Sequence, residues 1–195
     1  IDIFIGTQLI TKGYHFPELT LVGVVDADLA LKGGDLRAGE RSFQQISQVA
    51  GRAGRGEKPG HVYIQTHQPE APVLAALVAG DAPGFYAAET EARRAAAMPP
   101  FGRLAAIIVS GPDEAEVAAT ARTIGRAAPT GIDGLTILGP APAPLSLLRG
   151  RFRHRLLVHA ARRADVQGLI AEWLGGIEVP RNVRVAVDID PYSFV

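Results

Sequence analysis

Two arginines three positions apart, Arg52 and Arg55, stand among glycines in the stretch QISQVAGRAGRGEKPG at positions 45–60. A guanidinium keeps its charge at any physiological pH and presents a planar fork of donors, so two of them at this spacing can meet one anionic centre together. That is an arginine-finger arrangement, which stabilises charge on a transferring phosphoryl group. Gln48, one helical turn before Arg52, is placed to orient a water or a phosphate oxygen, while Gly51 and Gly54 permit close backbone approach. The same residues also read as a basic helix end that complements its own dipole. Spacing alone leaves both readings open.

Other stretches imitate sites without completing them. GRAGRGEK has Gly51 and Gly56 at P-loop spacing, but Glu57 stands where a lysine is required and Pro59 follows. DEAE at 113–116 resembles an acidic, magnesium-holding box, yet it follows Pro112 and opens a predicted helix, where carboxylates complement the dipole. No self-contained ATP site is expected. The histidines, at 15, 61, 67, 154 and 159, have no carboxylate or thiolate partner at ligand spacing, and cysteine is absent, so no metal site is expected. DAD at 26–28 and DID at 188–190 each follow a predicted strand and read as strand-end turns.

A second cationic group is more promising. In LLRGRFRHRLL the residues Arg149, Arg151, Arg153 and Arg155 alternate around Phe152. In a strand this period puts the arginines on one face, a track for DNA phosphates, and Phe152 in the core. A plain solvated face is the competing reading. Arg162, Arg163 and Gln167, near the start of the last predicted helix, suit an acidic partner.

The elements that must position these residues follow from periodicity. IDIFIGTQ and LTLVGVVDAD read as buried strands, and LRAGERSFQQISQVAG as a helix with Asp35 as N-cap. GHVYIQTH returns as a strand, followed by two Ala-rich helices, APVLAALVAG and GFYAAETEARRAAAM. Alternating strand and helix predicts an α/β layer with a parallel sheet. Met98-Pro99-Pro100-Phe101 closes the helical pattern, and beyond it the order is strand, helix, strand, strand, helix, strand. That order predicts an α+β, split-βαβ (ferredoxin-like) domain. The expected division is 1–80, a helical linker at 81–100, and 101–195.

Lys+Arg and Asp+Glu are equal at 20 each, so any polyanion binding must come from local clusters. No apolar run approaches the ~20 residues of a membrane span and no signal peptide is visible, so a cytoplasmic protein with no membrane contact is expected. The alternating IDIFIG begins at residue 1, which reads as a cut inside a domain.

GTQLITKGYHFP at 6–17, DADLALKGGDLRAGERSFQQISQVAGRAGRGEKPG at 26–60 and FYAAETEARRAAAMPPFGRLA at 85–105 together resemble the PriA, or primosomal protein N′, family of replication-restart DNA helicases in superfamily 2. The likeness continues through GPAPAP, RGRFRHRLLVHA and the terminal VDIDP. The first two blocks correspond to helicase motifs V and VI. The resemblance implies the C-terminal part of a 3′-to-5′ ATP-dependent DNA helicase that recognises stalled or branched forks and initiates primosome assembly. Its fold would be the end of a RecA-like lobe 2 followed by the C-terminal domain. Gly6, Thr7 and Gln8 would contact DNA, with Lys12, Gly13 and His15 coupling it to nucleotide. His15 departs from the aspartate that relatives often carry there. Gln48, Arg52 and Arg55, with Gly51 and Gly54, would face ATP phosphates held with Mg²⁺ by an upstream lobe. A zinc-binding insertion would also lie upstream. Arg149 to Arg155 would meet branched and single-stranded DNA. Arg162, Arg163 and Gln167 would meet single-stranded DNA-binding protein, alongside other primosome proteins. A non-catalytic DNA- or protein-binding module and a RecG-type fork-remodelling helicase are the alternatives.

Overall fold

The computed structural model describes residues 3–6, 18–31, 37–54 and 58–191. The chain divides into two compact units, residues 1–87 and 88–195.

In the first unit β1 (Leu21–Val24) and β2 (His61–Ile64) pair in parallel, Leu21 opposite His61 and Val24 opposite Ile64. The first strand is shorter than LTLVGVVDAD predicts, because Asp26 takes φ +51° and turns the chain into a 3-10 helix at Ala27–Ala30. Asp28 in that turn is buried, and its carboxylate accepts from Thr66 Oγ1 at 2.5 Å and from the His67 backbone N–H at 2.7 Å. A buried carboxylate needs such donors, and these fasten the exit of β2 to the 3-10 turn. The DAD triplet is thus a turn device.

Helix α1 (Ala38–Ala50) buries Phe43 and Ile46, one helical turn apart. Phe43 stacks on Phe85 with ring centroids 4.5 Å apart, and Tyr86 meets both rings edge-on. Phe85 and Tyr86 belong to α3 (Ala82–Ala95), and Val73 and Leu74 of α2 (Pro72–Ala79) complete the small core. Within IDIFIG, residues 3–6 do not form the expected buried strand. Ile3 is 80% and Ile5 90% exposed, and among the described residues no strand pairs with this stretch. Alternation makes a strand only where a neighbour supplies the ladder. The expected cap Asp35 lies outside the described residues; α1 begins after Arg37, with no side-chain cap bond.

The second unit runs β3 (Gly102–Gly111), α4 (Glu114–Arg126), β4 (Leu135–Leu148), β5 (Arg151–Ala161), α5 (Val166–Gly175), β6 (Arg184–Ile189). Its sheet has the order β4-β5-β3-β6 with every neighbour antiparallel. This is the split-βαβ arrangement that the element order predicts. Ala105, Ile107 and Val109 of β3 and Leu156, Val158 and Ala160 of β5 bury one sheet face against Val117, Ala121 and Ile124 of α4 and Ile170 and Trp173 of α5. Trp173 Nε1 also donates to Ile124 O at 3.1 Å. Asp113 caps α4 through the Glu116 N–H, and Asp165 caps α5 through the Gly168 N–H. The DEAE segment is therefore a helix start.

Strand β4 runs beyond LTILGP at 135–140, the stretch whose composition predicts a strand, and β5 begins at Arg151, ahead of the predicted strand HRLLVHA at 154–160. Ala141 and Pro142 of the proline-rich APAP stretch stay in the ladder because β4 lies at the sheet edge, where Pro costs least, with register shifts on either side of that pair; Ala143 and Pro144 fall within the second shift. The division between units falls inside α3, within the stretch 81–100 expected as a helical linker and ahead of the diproline. No described helix is long and apolar enough to cross a membrane.

Candidate nucleic-acid interface

Opposed residues in an antiparallel ladder share a face, which fixes where the β5 side chains go. Arg153 is opposite Ser110 and Arg155 opposite Ile108, whereas Leu156 is opposite Ile107 in the core. Arg151, Arg153 and Arg155 therefore lie on the sheet face turned away from α4 and α5, and Phe152 packs against the core. Arg149 is not in the strand. It occupies the turn between β4 and β5 and is exposed.

The topology adds an arginine that sequence reading missed. Ser110 also pairs with Arg184 of β6, so Arg184 and Arg153 flank β3 on the same face, roughly 10 Å apart across two strand spacings. The pattern Arg184-Val185-Ala186-Val187 carries the alternation, but only the strand order places β6 beside β3 rather than beside β5. The far end of this face differs: His159 Nε2 lies 2.8 Å from Ala97 O, and Asp190 accepts from Arg103 Nε and the Leu104 N–H. The DID triplet thus serves to hold a strand end.

The cations at the basic end are not equivalent. Arg151 Nη2 donates to Ser110 O at 2.9 Å and Asn182 O at 3.3 Å, which anchors the start of β5. Arg153 Nη1 is buried with no hydrogen-bond partner among the described residues. A buried donor left so costs about 1–3 kcal/mol until an acceptor arrives. Burial, and then the neighbouring Arg153 charge, pull the Arg155 guanidinium below its ordinary value. A nearby anion would offset the like-charge repulsion within this pair. The surrounding sequence also favours an anion: between Asp133 and Asp165 there is no carboxylate, while Arg149, Arg151, Arg153, Arg155, Arg162 and Arg163 all fall within that interval.

Arg162 and Arg163 form an exposed turn before α5, and Gln167 is exposed in its first turn. The Asp165 cap serves that helix start, so the arginines lie outside it. They are separated from Arg153 by about 30 Å of strand and cannot share one small ligand with it.

In the first unit Gln48 is exposed in the last turn of α1, and half-buried Arg52 follows the helix end. The two are four residues apart and presented at one end of α1. The Gly51 N–H donates to Ser47 O and the Gly54 N–H to Leu19 O, so both amides are engaged within the chain. Gly54 has φ +71°, and a Cβ there would come within 2.6 Å of the Gly60 backbone. Glycine is required at 54 by the fold itself. Gly6 is exposed. Thr7, Gln8, Lys12, Gly13, His15 and Arg55 lie outside the described residues. Among the described residues no group of three or more His, Asp or Glu is gathered as a metal would need.

The family described as primosomal protein N C-terminal domain matches residues 94–192. The whole chain is 48% identical over 194 residues to the replication restart protein PriA of Rickettsia conorii, of which it covers 30%. It is 37% identical over 199 residues to the protein of that name from Bacillus subtilis, covering 25% of it. With the Haemophilus influenzae protein the identity is 38% over 193 residues, 97% of this chain and 26% of the relative. The chain thus spans about a quarter to a third of the length of these relatives.

Proposed function

Since the chain belongs to the family of the primosomal protein N C-terminal domain, we propose that it is the C-terminal portion of an ATP-dependent DNA helicase that acts in replication restart. The observation that carries the DNA half of this reading is the basic sheet face, with Arg153 holding a buried unsatisfied donor beside Arg155 and Arg184 across β3. Phosphate oxygens are suitable acceptors for such donors, and they are read without regard to base identity. The exposed turn of Arg162, Arg163 and Gln167 is a separate surface, fitted to an acidic peptide such as the tail of single-stranded DNA-binding protein. The setting of these contacts is the cytoplasm, where bacterial forks and primosome proteins meet.

The first unit is the end of a RecA-like lobe 2 in this reading, and its parallel β1-β2 pair with α1 between them in the chain is consistent with that. The motor chemistry is then shared with an upstream lobe that holds ATP and Mg²⁺; zinc belongs to an upstream insertion. When bound, Mg²⁺ would neutralise charge on the phosphates. Arg52 and Arg55 supply fixed positive charge toward the phosphoryl group, and Gln48 at the same helix end orients water. Lys12, Gly13 and His15 couple nucleotide to the DNA contacts of Gly6, Thr7 and Gln8.

The test is ATP hydrolysis by a full-length protein carrying this chain, with and without forked DNA, for wild type, Arg52→Ala and Arg55→Ala. Turnover stimulated by the fork should fall about 10³-fold in either variant while nucleotide still binds. Wild-type protein that binds the fork but never hydrolyses ATP would leave a binding module in place of a motor.

A further inference from the structure

Strand β4 ends in a run of exposed residues from Pro144 to Leu148, and the turn Arg149-Gly150 continues it. Three of these side chains are leucines: Leu145 is 42%, Leu147 56% and Leu148 41% exposed. Three leucines left in water at a hairpin tip are an anomaly, since exposed apolar runs mark contact sites. The tip is also unusually built. Arg149 has φ +51° and Gly150 φ +75°, the two positive values of a tight type I′ turn. Asn or Gly is the ordinary residue at the first of these positions, and an arginine there costs about 1–2 kcal/mol. Behind the turn, five steps of β4 from Pro142 to Leu147 are set against two of β5 from His154 to Phe152, so the ladder is broken where Leu145 lies. The tip is thus a narrow apolar end mounted on the basic strand that carries Arg151, Arg153 and Arg155.

We infer that this tip is a wedge which enters the base stack of branched DNA, with Leu147 and Leu148 against base faces and Arg149 on the adjoining phosphate. The inference rests on the DNA-binding reading of the β5 face. Charge selects the partner: a hairpin with no acidic residue between Asp133 and Asp165 is complementary to a polyanion. Apolar side chains flanked by arginines are the chemistry that parts a base step, and the arginines recover the unstacking cost through phosphate contacts. That cost is least where the stack is already interrupted, so the tip is directed to a branch point rather than to continuous duplex. The positive φ at Arg149 holds its cation at the tip itself, beside the leucines.

The experiment uses the 195-residue chain and a fork with 2-aminopurine next to the junction, read at saturating protein so that affinity differences do not enter. Fluorescence anisotropy on the same fork measures binding separately. Wild type should raise the 2-aminopurine signal, and the Leu147→Ser/Leu148→Ser variant should lose about nine-tenths of that rise. Both leucines are exposed, and an unchanged thermal melt of the variant verifies that the fold is kept. If wild type binds the fork yet leaves the base stacked, or if the variant unstacks it equally, the wedge is overturned, the phosphate face stands, and the leucines belong to a protein contact. If wild type binds no DNA, the interface reading falls and the wedge with it.

Discussion

Arg155 pays twice for its place, once in lost hydration and once in its neighbour's charge, and both effects lower its affinity for the proton. The sign is informative. A base with a lowered folded pKa is destabilising while charged; for a guanidinium the penalty is full everywhere below its folded pKa, is lost as pH rises from there to its ordinary value, and does not vary across neutral pH. Arg155→Met should therefore melt no lower than wild type without ligand, while losing the rise in melting temperature that DNA gives wild type. A lower melting temperature with the DNA shift intact would reverse this reading of the face. Arg153→Ala should weaken binding to forks of any sequence and reduce the slope of log K against log salt by about one unit. The alternating arginines of β5 were legible because a strand shows its period in the sequence. Arg184 was not, because the residue that joins it to Arg153 is Ser110, on a strand far from both in the chain.

Among elements, the β4-β5 hairpin departs most from its sequence reading. The alternation in RFRHRLL was plain, but the prolines of GPAPAP concealed that β4 runs on to Leu148, since Pro is excluded only from interior ladders. The turn offers a direct probe. Arg149→Asn keeps a residue that tolerates the left-handed region and should raise stability by about 0.5–1 kcal/mol by chemical denaturation, while fork affinity falls with the lost cation. If stability drops instead, the arginine is bonded in a way that offsets its backbone cost. In IDIFIG the reverse holds: the period is correct for a strand, yet among the described residues no strand pairs with residues 3–6. Short local patterns decide which face a residue takes; whether a ladder forms at all depends on neighbours distant in sequence.

At the scale of the whole chain there are two cores with no residue in common, one around Phe43 and Phe85 and the other around Ile107 and Leu156. The βαββαβ order was readable because each element has its own period and its own boundary, the helix-starting caps Asp113 and Asp165 among them, and the strand order follows from the few ways that order can be closed. A fragment of residues 88–195 should thus unfold in one cooperative transition, and Ile107→Ala within it should cost about 2–5 kcal/mol. A fragment without a cooperative transition would mean that the second core is incomplete alone. The chain has one tryptophan, Trp173, 8% exposed and bonded to the end of α4. With selective excitation, its emission follows loosening of the C-terminal core and is blind to the other unit, whose aromatic rings are phenylalanine and tyrosine. A fluorescence melt overlaid on a far-ultraviolet dichroism melt of the same unlabelled sample will then report separately on the part that holds the arginine face and the part that holds Arg52.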